Sequence, residues 1–502
     1  LILSLMQTRN LVIWITFLAV FAMAATFAVD TDTWWHLRAG EWMVENRQIL
    51  QVDHFSHTRA GAPWRYPGWL VEIAMYLLFD SAGPGGLNLW TAGMVTLAFA
   101  FVWRVQSGNP YLRAFITILG AAASGVYWAA RPYLVTFVLT AVFLWILESW
   151  RWRESEKNPR RLWLLPVLMV GWANSHGGFF TGFLLLAVYL AGEGWDWLSA
   201  KILARRGLQP ATGAGDHLRR LRMLGAVSLV TLLAACLSPV GPRLLLYPFQ
   251  TVEIASLQAY IQEWQPPDFH NLSMQPFLWL FLLSLGAIGA SRRRLALTDF
   301  LLLAGFGYLG FLAARNIALF ALAALPPLSR HSADALQIAG RALRLKPLET
   351  QTPPHLRRLN LALVGLVGVA VLARALPVLP ATANEDHFRQ QLPVAAAQAV
   401  MQAAPEGNLF NSYNYGGYLV WALRDYPVFV DGRTDLYSDE IISEWLAAVR
   451  AEPGWEEILD RREIGVILIE PETPLTAVLA GQPGWEELYR DEIAVVYRQV
   501  QP

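Results

Sequence analysis

Eleven long apolar runs constrain this chain more than any other feature of its sequence. A helix needs about 17 to 25 mainly apolar residues to cross the hydrocarbon core of a bilayer. With 55% hydrophobic and 16% charged residues, the chain is also too apolar for an ordinary soluble protein. The sequence therefore predicts a polytopic α-helical membrane protein with about 11 transmembrane helices. The runs lie near residues 11–29, 87–105, 113–130, 133–149, 161–173, 178–194, 222–237, 275–290, 297–313, 315–328 and 359–377.

The first apolar run, Leu11–Ala28, has two possible interpretations. It ends in small residues that are compatible with a signal-peptide cleavage site. However, its length exceeds the roughly 7 to 15 residues of a usual signal core. We therefore interpret it as a membrane helix.

Lys and Arg are distributed unevenly between alternate connections. If the N-terminus is cytoplasmic, the inside segments before residue 360 carry 23 Lys and Arg and the outside segments carry 7. Cytoplasmic loops of membrane proteins carry such an excess. The pattern predicts a cytoplasmic N-terminus, with residues 378–502 outside.

Residues 378–502 differ in composition from the apolar part, residues 1–377. They contain 8 Arg, no Lys and 20 Asp plus Glu. Short apolar runs near 427, 465 and 493 resemble strands and alternate with amphipathic segments. The sequence predicts a C-terminal soluble α/β domain on the outer face, with helices at Asp439–Arg450 and Gly484–Tyr489. The formal net charge is zero and so says nothing about partners. We expect no nucleic-acid partner.

The first outer loop, residues 30–86, is too long for a simple connection. It contains two segments that alternate Trp with charge, Trp34–Val44 and Trp69–Phe79. Such helices usually lie in the plane of the membrane interface. We expect them to cover a cavity that opens toward the outer leaflet.

An unusual polar stretch, VDTDTWWHLR (Val29–Arg38), follows the first apolar run directly. A carboxylate at a membrane boundary has lost part of its hydration, so its charge responds to nearby cations and substrates. In a helix, Asp32 and His36 would share one face and could share a ligand. In the alternative interpretation Asp30 and Asp32 cap an interfacial helix whose tryptophans lie among the lipid headgroups.

Further polar residues fall at the predicted outer ends of later helices. Two arginines in this set suit a phosphate-bearing substrate, because guanidinium binds phosphate through paired donors. Asp32, Glu263 and His176 could hold a divalent cation such as Mg²⁺ or Mn²⁺. The alternatives are headgroup anchoring for the arginines and interhelical hydrogen bonds for the histidine and asparagine. The set is Arg131, Asn174, His176, Glu263 and Arg315.

Three motifs resemble those of the catalytic subunits of oligosaccharyltransferases and related GT-C membrane glycosyltransferases. In DTWWHLR (Asp32–Arg38), an Asp, one spacer and an aromatic open the first outer loop, and an Arg follows four residues later. SYNYGGY (Ser412–Tyr418) and VFVDGRT (Val428–Thr434) resemble two motifs of the family's C-terminal domain. The order of an interfacial first loop, a multi-helix core and an outer domain also agrees.

The resemblance implies an integral membrane glycosyltransferase that uses a polyprenyl-phosphate-linked sugar donor on the outer face. Asp32 would be the catalytic carboxylate, with Asp30 beside it, and Arg315 would bind the lipid phosphate. The acceptor is a glycan, lipid or protein that the sequence does not identify. The remaining substrate-binding candidates are Arg131, Trp34, Trp35, Arg38, Asn174, Tyr413, Asn414 and Tyr415.

The sequence also departs from the family pattern. Arg131 stands where the family has a second acidic pair, and Tyr413–Asn414 replaces the family's Trp-Trp-Asp. These departures leave open a catalytically inactive relative that acts as a scaffold or lipid-binding subunit of an envelope complex. A polyprenyl-lipid transporter is a third hypothesis, although the sequence shows no inverted repeat.

Overall fold

The computed structural model describes residues 7–152, 159–208, 212–255, 260–344 and 352–500. Helices occupy every one of the predicted apolar runs, which confirms the polytopic α-helical architecture. The helices of this part are α1 (Thr8–Ala24), α2 (Thr33–Asn46), α3 (Trp69–Trp103), α4 (Pro110–Ser124), α5 (Tyr133–Trp152), α6 (Leu164–Ala173), α7 (Phe180–Arg205), α8 (Ala214–Ala235), α9 (Tyr247–Val252), α10 (Gln275–Ala290), α11 (Leu297–Leu312), α12 (Ile317–Ala342) and α13 (Pro354–Ala375).

Five helical stretches of the described residues are long and apolar enough to cross a membrane. Two further helices of this part, α1 and α11, are apolar but shorter, with 17 and 16 residues. The length and composition of these helices make the chain a membrane protein. The five stretches are Trp69–Trp103, Tyr133–Trp152, Gly177–Arg205, Leu272–Ala290 and His355–Val378.

The predicted interfacial segment Trp69–Phe79 is the first part of the long helix α3. A kink divides α3 at Gly83, whose φ of 62° and ψ of −166° are not helical. Glycine tolerates this positive φ because it has no Cβ, and Pro84 then begins the second, membrane-spanning part. The other predicted interfacial segment, Trp34–Val44, lies within α2.

Buried ion pairs join the ends of the core helices. Arg151 donates to Glu193 at 2.9 Å, and Arg330 is paired with both Glu148 and Asp299. Helix α5 carries Arg151 near its C-terminal end, and its 20 residues span about 30 Å at about 1.5 Å per residue. These pairs therefore lie far from Arg131, which lies two residues before the other end of α5.

The C-terminal part contains a four-stranded mixed sheet in the order β1-β2-β4-β3. Strand β1 pairs with β2 in parallel, whereas β4 is antiparallel to both of its neighbours. This arrangement confirms the predicted α/β domain. The elements are α14 (Ala381–Arg389), α15 (Val394–Ala403), β1 (Asn408–Asn411), α16 (Tyr413–Ala422), α17 (Thr434–Val449), α18 (Trp455–Arg461), β2 (Ile464–Ile469), α19 (Pro474–Leu479), β3 (Trp485–Arg490) and β4 (Val495–Gln499).

Two local predictions in this domain are wrong. The segment Gly484–Tyr489 was expected as a helix, but Trp485–Arg490 forms strand β3 because it pairs along β4. Tertiary pairing overrides the helix preference of its Glu and Leu residues. The apolar run near 427 is not a strand either. Its Val428 makes a single bridge to Ser56 of the first outer loop.

The sheet and the first outer loop share one hydrophobic core. Trp35, Met43, Phe55 and Trp64 of the loop belong to the same cluster of buried residues as strands β1, β2 and β4. Trp34 and Trp35 are each only 4% exposed. Neither tryptophan lies among lipid headgroups, so the interpretation as interfacial anchors is wrong. The loop therefore fixes the position of the C-terminal domain relative to the membrane helices.

Candidate active site around Asp32

The corner between α1 and α2 is held by two backbone contacts at Ala28. Its N–H donates to Asn88 Oδ1 at 2.8 Å, and its carbonyl accepts from the Ala130 N–H at 2.7 Å. The second contact joins this corner to the turn before α5. Arg131, the next residue, is thereby placed beside Asp30 and Asp32.

Asp30 caps the first turn of α2. Its Oδ1 accepts from the Thr33 N–H at 3.0 Å and from the Thr33 hydroxyl at 2.9 Å. The Asp30 N–H donates in return to Thr33 Oγ1 at 3.0 Å. Asp32 makes no such cap, although it immediately precedes the helix. The capping interpretation therefore describes Asp30 but not Asp32, whose carboxylate faces other groups.

Arg131 contacts three carboxylates at once. Its Nε and Nη2 each lie 2.6 Å from Asp30 Oδ2, and its Nη1 lies 2.8 Å from Asp32 Oδ2 and 3.0 Å from Glu263 Oε1. All four side chains are between 24% and 34% exposed. The guanidinium is thus fully engaged by acids. Arg131, which is also a predicted substrate-binding residue, holds these three carboxylates together.

The carboxyl group of Asp32 has an unusual protonation equilibrium. Burial raises the pKa of Asp32 to about 6, Arg131 opposes this shift, and the charges of Asp30 and Glu263 add to it. A pKa near 6 lets Asp32 be ionised at neutral pH and yet accept a proton readily. Its side chain remains 24% exposed, so another molecule can reach it.

The C-terminal domain contacts the Asp32 segment through two glycines. A Cβ on Gly432 would lie 1.9 Å from Asp32 Oδ1, and one on Gly417 would lie 2.1 Å from the Thr31 carbonyl oxygen. Both glycines belong to the motifs that resemble the GT-C family. The Tyr413 hydroxyl, from the same region, lies 2.6 Å from Thr434 Oγ1. Two distant motifs therefore meet at Asp32.

A buried arginine fixes the loop that carries Gly432. Arg433 Nη2 lies 2.6 Å from Asp431 Oδ2, and Arg433 Nη1 lies 2.6 Å from Asp53 Oδ1. The Arg433 and Asp53 side chains are fully buried. Sequence reasoning noted the DGRT motif but missed Asp53, because nothing in the sequence pairs residues 380 positions apart.

Arg315 lies in a different electrostatic environment. Its Cζ is 4.4 Å from the ring centroid of Trp264, the residue after Glu263. The Ala314 N–H donates to Gln265 O at 3.0 Å and joins the two turns. In the described part of the chain, no carboxylate lies within ion-pairing distance of Arg315. Glu263 contacts Arg131, and the next residue, Trp264, contacts Arg315. The neutralised Arg131 and the unneutralised Arg315 therefore lie near each other.

His176 lies near Arg315 and is electrically neutral. Burial and then the Arg315 charge lower the pKa of His176 to about 3. The Gly178 N–H donates to its Nδ1 at 3.0 Å, so that nitrogen carries no proton. The Thr136 hydroxyl, 2.9 Å away, must donate to Nδ1 as well. The remaining ring proton is therefore on Nε2, where it can be donated to a ligand.

The Tyr133 hydroxyl is a further donor in this region. The Tyr133 ring packs edge-on against His176 with centroids 6.1 Å apart. Within the described residues, the Tyr133 hydroxyl is buried without a hydrogen-bond partner. Buried donors without partners are costly unless a ligand or water satisfies them. Together with Arg315 and His176, this hydroxyl is suited to an anion.

The predicted metal ligands Asp32, Glu263 and His176 do not form a metal site. Asp32 and Glu263 share Arg131, whereas His176 Nδ1 is occupied by Thr136 and Gly178. Among the described residues, one group of three potential ligands converges within 4.8 Å, namely Glu193, Asp196 and His217. That acidic cluster lies at the far end of the helices and is paired with Arg151.

Several other predicted substrate-binding residues have partners within the protein. Arg38 Nη1 donates to Glu41 at 2.6 Å. Asn174 accepts from Trp69 and donates to the carbonyls of Val170 and Leu237, so it joins helices as its alternative interpretation required. The buried Tyr415 donates its hydroxyl proton to Ile493 O. Asn414 is exposed at the start of α16.

The predicted partnership of Asp32 with His36 is not observed. His36 Nδ1 lies 2.8 Å from Glu72 Oε1 on α3, and both side chains are buried. Burial lowers the pKa of His36 well below its usual value. Glu72 was missed by sequence reasoning, although an acid one turn into an apolar amphipathic helix is itself an unusual feature.

The chain is similar to the crystal structure of an oligosaccharyltransferase from Archaeoglobus fulgidus in its apo form, with a TM-score of 0.53 and 13% identity over 91% of this chain and 70% of that one. This chain has a GT-C-like fold. It also aligns with ArnT from Cupriavidus metallidurans bound to undecaprenyl phosphate, with a TM-score of 0.47 and 15% identity over 96% of each chain. No protein-family model and no curated protein sequence matches this chain. The GT-C-like fold agrees with the resemblance that the motifs around Asp32, Ser412 and Val428 carry.

Proposed function

We propose that this chain is an integral membrane glycosyltransferase that transfers a sugar from a polyprenyl-phosphate-linked donor to an acceptor on the outer face. The observation that carries this proposal is the contrast between the two arginines of the site. Arg131 is neutralised by three carboxylates, whereas Arg315 lies on Trp264 and has no ion-paired carboxylate among the described residues. One site therefore combines acids with an available cation.

The donor phosphate is expected beside Arg315. Guanidinium keeps its charge and binds phosphate oxygens through paired donors. The Nε2–H of His176 and the Tyr133 hydroxyl provide further donors in the same region. All three residues lie at helix ends, where a lipid-linked phosphate could be reached from the bilayer. This arrangement supports the predicted phosphate role of Arg315 and adds His176 as a neutral donor.

The acceptor is expected beside Asp32. As the acceptor oxygen attacks the anomeric carbon, Asp32 takes its proton and the bond from the anomeric carbon to the phosphate oxygen breaks. The phosphate leaves with the bonding electrons, and Arg315 stabilises the developing negative charge. Attack opposite to the leaving group inverts the anomeric configuration. The partly exposed Asp32 carboxylate suits this role.

Two further lines support the proposal. The fold is similar to that of a protein named as an oligosaccharyltransferase, and the motifs around Asp32, Ser412 and Val428 resemble the same class. The distribution of Lys and Arg supports a site on the outer face and an N-terminus in the cytoplasm, and the proposed membrane is a bacterial inner membrane. The C-terminal domain, residues 378–502, would then cover the site from outside.

Native mass spectrometry of the purified protein tests the donor half of this proposal. We expect wild-type protein to bind added undecaprenyl phosphate, and Arg315→Gln to weaken this binding at least tenfold. Arg243→Gln removes an exposed arginine from the same expected face and is the matched control, which should bind as the wild type does. Equal binding by wild type and Arg315→Gln would contradict the phosphate role.

The scaffold hypothesis remains the second candidate, and the cap that Asp30 provides for α2 favours it. The two hypotheses differ in turnover. A chain that binds the lipid and releases the sugar of a polyprenyl-phosphate sugar is a transferase. A chain that copurifies with an envelope protein and leaves every such donor intact is a scaffold.

A further inference from the structure

The side chain of Arg131 occupies the space between the carboxylates of Asp30, Asp32 and Glu263. Asp30, Asp32 and Glu263 come from separate parts of the chain, and each places an oxygen 2.6 to 3.0 Å from a nitrogen of Arg131. Carboxylates that converge in this way usually surround a divalent cation or a basic side chain. Here the positive group between the carboxylates is the Arg131 guanidinium.

The oxygens of Asp30 and Asp32 offer little to a metal ion. Asp30 Oδ1 already accepts from Thr33, and Asp30 Oδ2 faces two nitrogens of Arg131. Asp32 Oδ2 is bound to Arg131, while Asp32 Oδ1 lies against Gly432. A magnesium ion needs near-octahedral oxygens at about 2.0 to 2.1 Å. An ion bound to these oxygens would also lie close to a permanent positive charge that nothing in the site removes.

We propose that the guanidinium of Arg131 is the built-in cation of this site, so that Asp30, Asp32 and Glu263 bind no divalent metal ion. Arg131 then acts as a positioning residue. It holds Oδ2 of Asp32 and leaves Oδ1 on the side of Gly432 and the C-terminal domain. Arg131 stands where the related family has its second acidic pair. If the guanidinium supplies the positive charge of the site, further carboxylates are not needed as metal ligands.

The proposal predicts that removal of Arg131 creates a metal site. Without the guanidinium, the three carboxylates that now surround it would lose their counter-charge, and a hard divalent cation that draws their oxygens together is the ligand that relieves their repulsion. Arg131→Lys keeps a positive charge and should not gain the site. Asp32→Asn in the Arg131→Ala background removes a ligand and should abolish the gain.

Electron paramagnetic resonance of Mn²⁺ measures this directly, since the sharp signal of the free ion disappears on binding. All proteins carry His217→Ala, which weakens the remote Glu193, Asp196 and His217 cluster. We expect no Mn²⁺ binding by the protein with Arg131 intact, and stoichiometric binding by Arg131→Ala. If Arg131→Ala does not fold, Arg131→Gln takes its place.

Two results would overturn the proposal. One is Mn²⁺ binding by the protein with Arg131 intact that Asp32→Asn removes. The other is a folded Arg131→Ala protein that binds no Mn²⁺. Neither measurement involves sugar transfer or lipid binding, so this proposal succeeds or fails independently of the proposed function. Loss of lipid binding in Arg315→Gln would likewise leave the metal result unchanged.

Discussion

Gly432 lies so close to Asp32 that a Cβ at position 432 would stand 1.9 Å from the Asp32 Oδ1 atom. Such a distance is far below van der Waals contact. The loop that carries Gly432 is held by the buried Arg433, and Asp32 is held by Arg131. The absence of a side chain at this position is therefore a condition for the C-terminal domain to meet the site.

Gly432→Ala should lower transfer activity about a hundredfold, because a displacement near 1 Å at a reacting group has about this effect. The Ala methyl group must push Asp32 or the loop aside. Gly484→Ala is the control, since a Cβ there meets nothing within 4 Å. Initial rates of sugar transfer for both variants measure the effect. Equal loss in both would show a general effect on the domain.

Asp32→Asn should reduce transfer by about 10²- to 10⁴-fold, the usual contribution of a general base, while the protein remains folded. The amide is nearly isosteric but cannot take the acceptor proton. Turnover of a polyprenyl-phosphate sugar and thermal unfolding are measured together. The exposed Asp425 provides the control Asp425→Asn, which should keep wild-type activity. A fully active Asp32→Asn protein would rule out the base.

The rate of transfer should fall as the pH drops through about 6. Burial raises the pKa of Asp32 from 3.8 to about 6, so the carboxylate that accepts the proton is lost below that pH. Between about pH 4 and about pH 6, Asp32 is protonated in the folded protein but ionised in the unfolded chain. Its contribution to stability is therefore present below pH 4 and lost as the pH rises through about 6. A pH profile of kcat/KM measures the kinetic effect, and a rate independent of pH between 5 and 8 would contradict it.

Asp53→Asn should destabilise the contact between the first outer loop and the C-terminal domain by about 1 to 3 kcal/mol, because it removes one of the two carboxylates that pair with the buried Arg433. Asp53 and Arg433 are both fully buried at a separation of 2.6 Å. Arg498→Gln is the control, because its pair with Glu486 is exposed and such pairs contribute at most about 1 kcal/mol. Thermal unfolding and limited proteolysis compare the two variants.

The sequence predicted the features that depend on local pattern. The apolar runs indicated helices because hydrocarbon tolerates only backbones with internally satisfied hydrogen bonds. The β-branched residues near 465 and 493 likewise became β2 and β4. Trp485–Arg490 was mistaken for a helix, because its strand conformation depends on pairing with β4, a partner that no local window contains.

Candidate residues were found by type and position, but their roles were decided by their partners. Asp32, Arg131, Glu263 and Arg315 were all singled out because polar groups at helix ends in an apolar chain are unusual. Nothing in the sequence distinguished the two arginines. Arg131 faces three carboxylates and Arg315 faces Trp264 only because separate turns meet there.

Hydrophobic length and composition are local properties, so the sequence was enough to predict a helical membrane protein with an acidic α/β domain. The tertiary contacts set which charges are neutralised, which histidine nitrogen is free to donate, and where Gly432 approaches Asp32. These properties depend on distances of a few ångströms between residues hundreds of positions apart, since electrostatic and steric effects act through space and not along the chain.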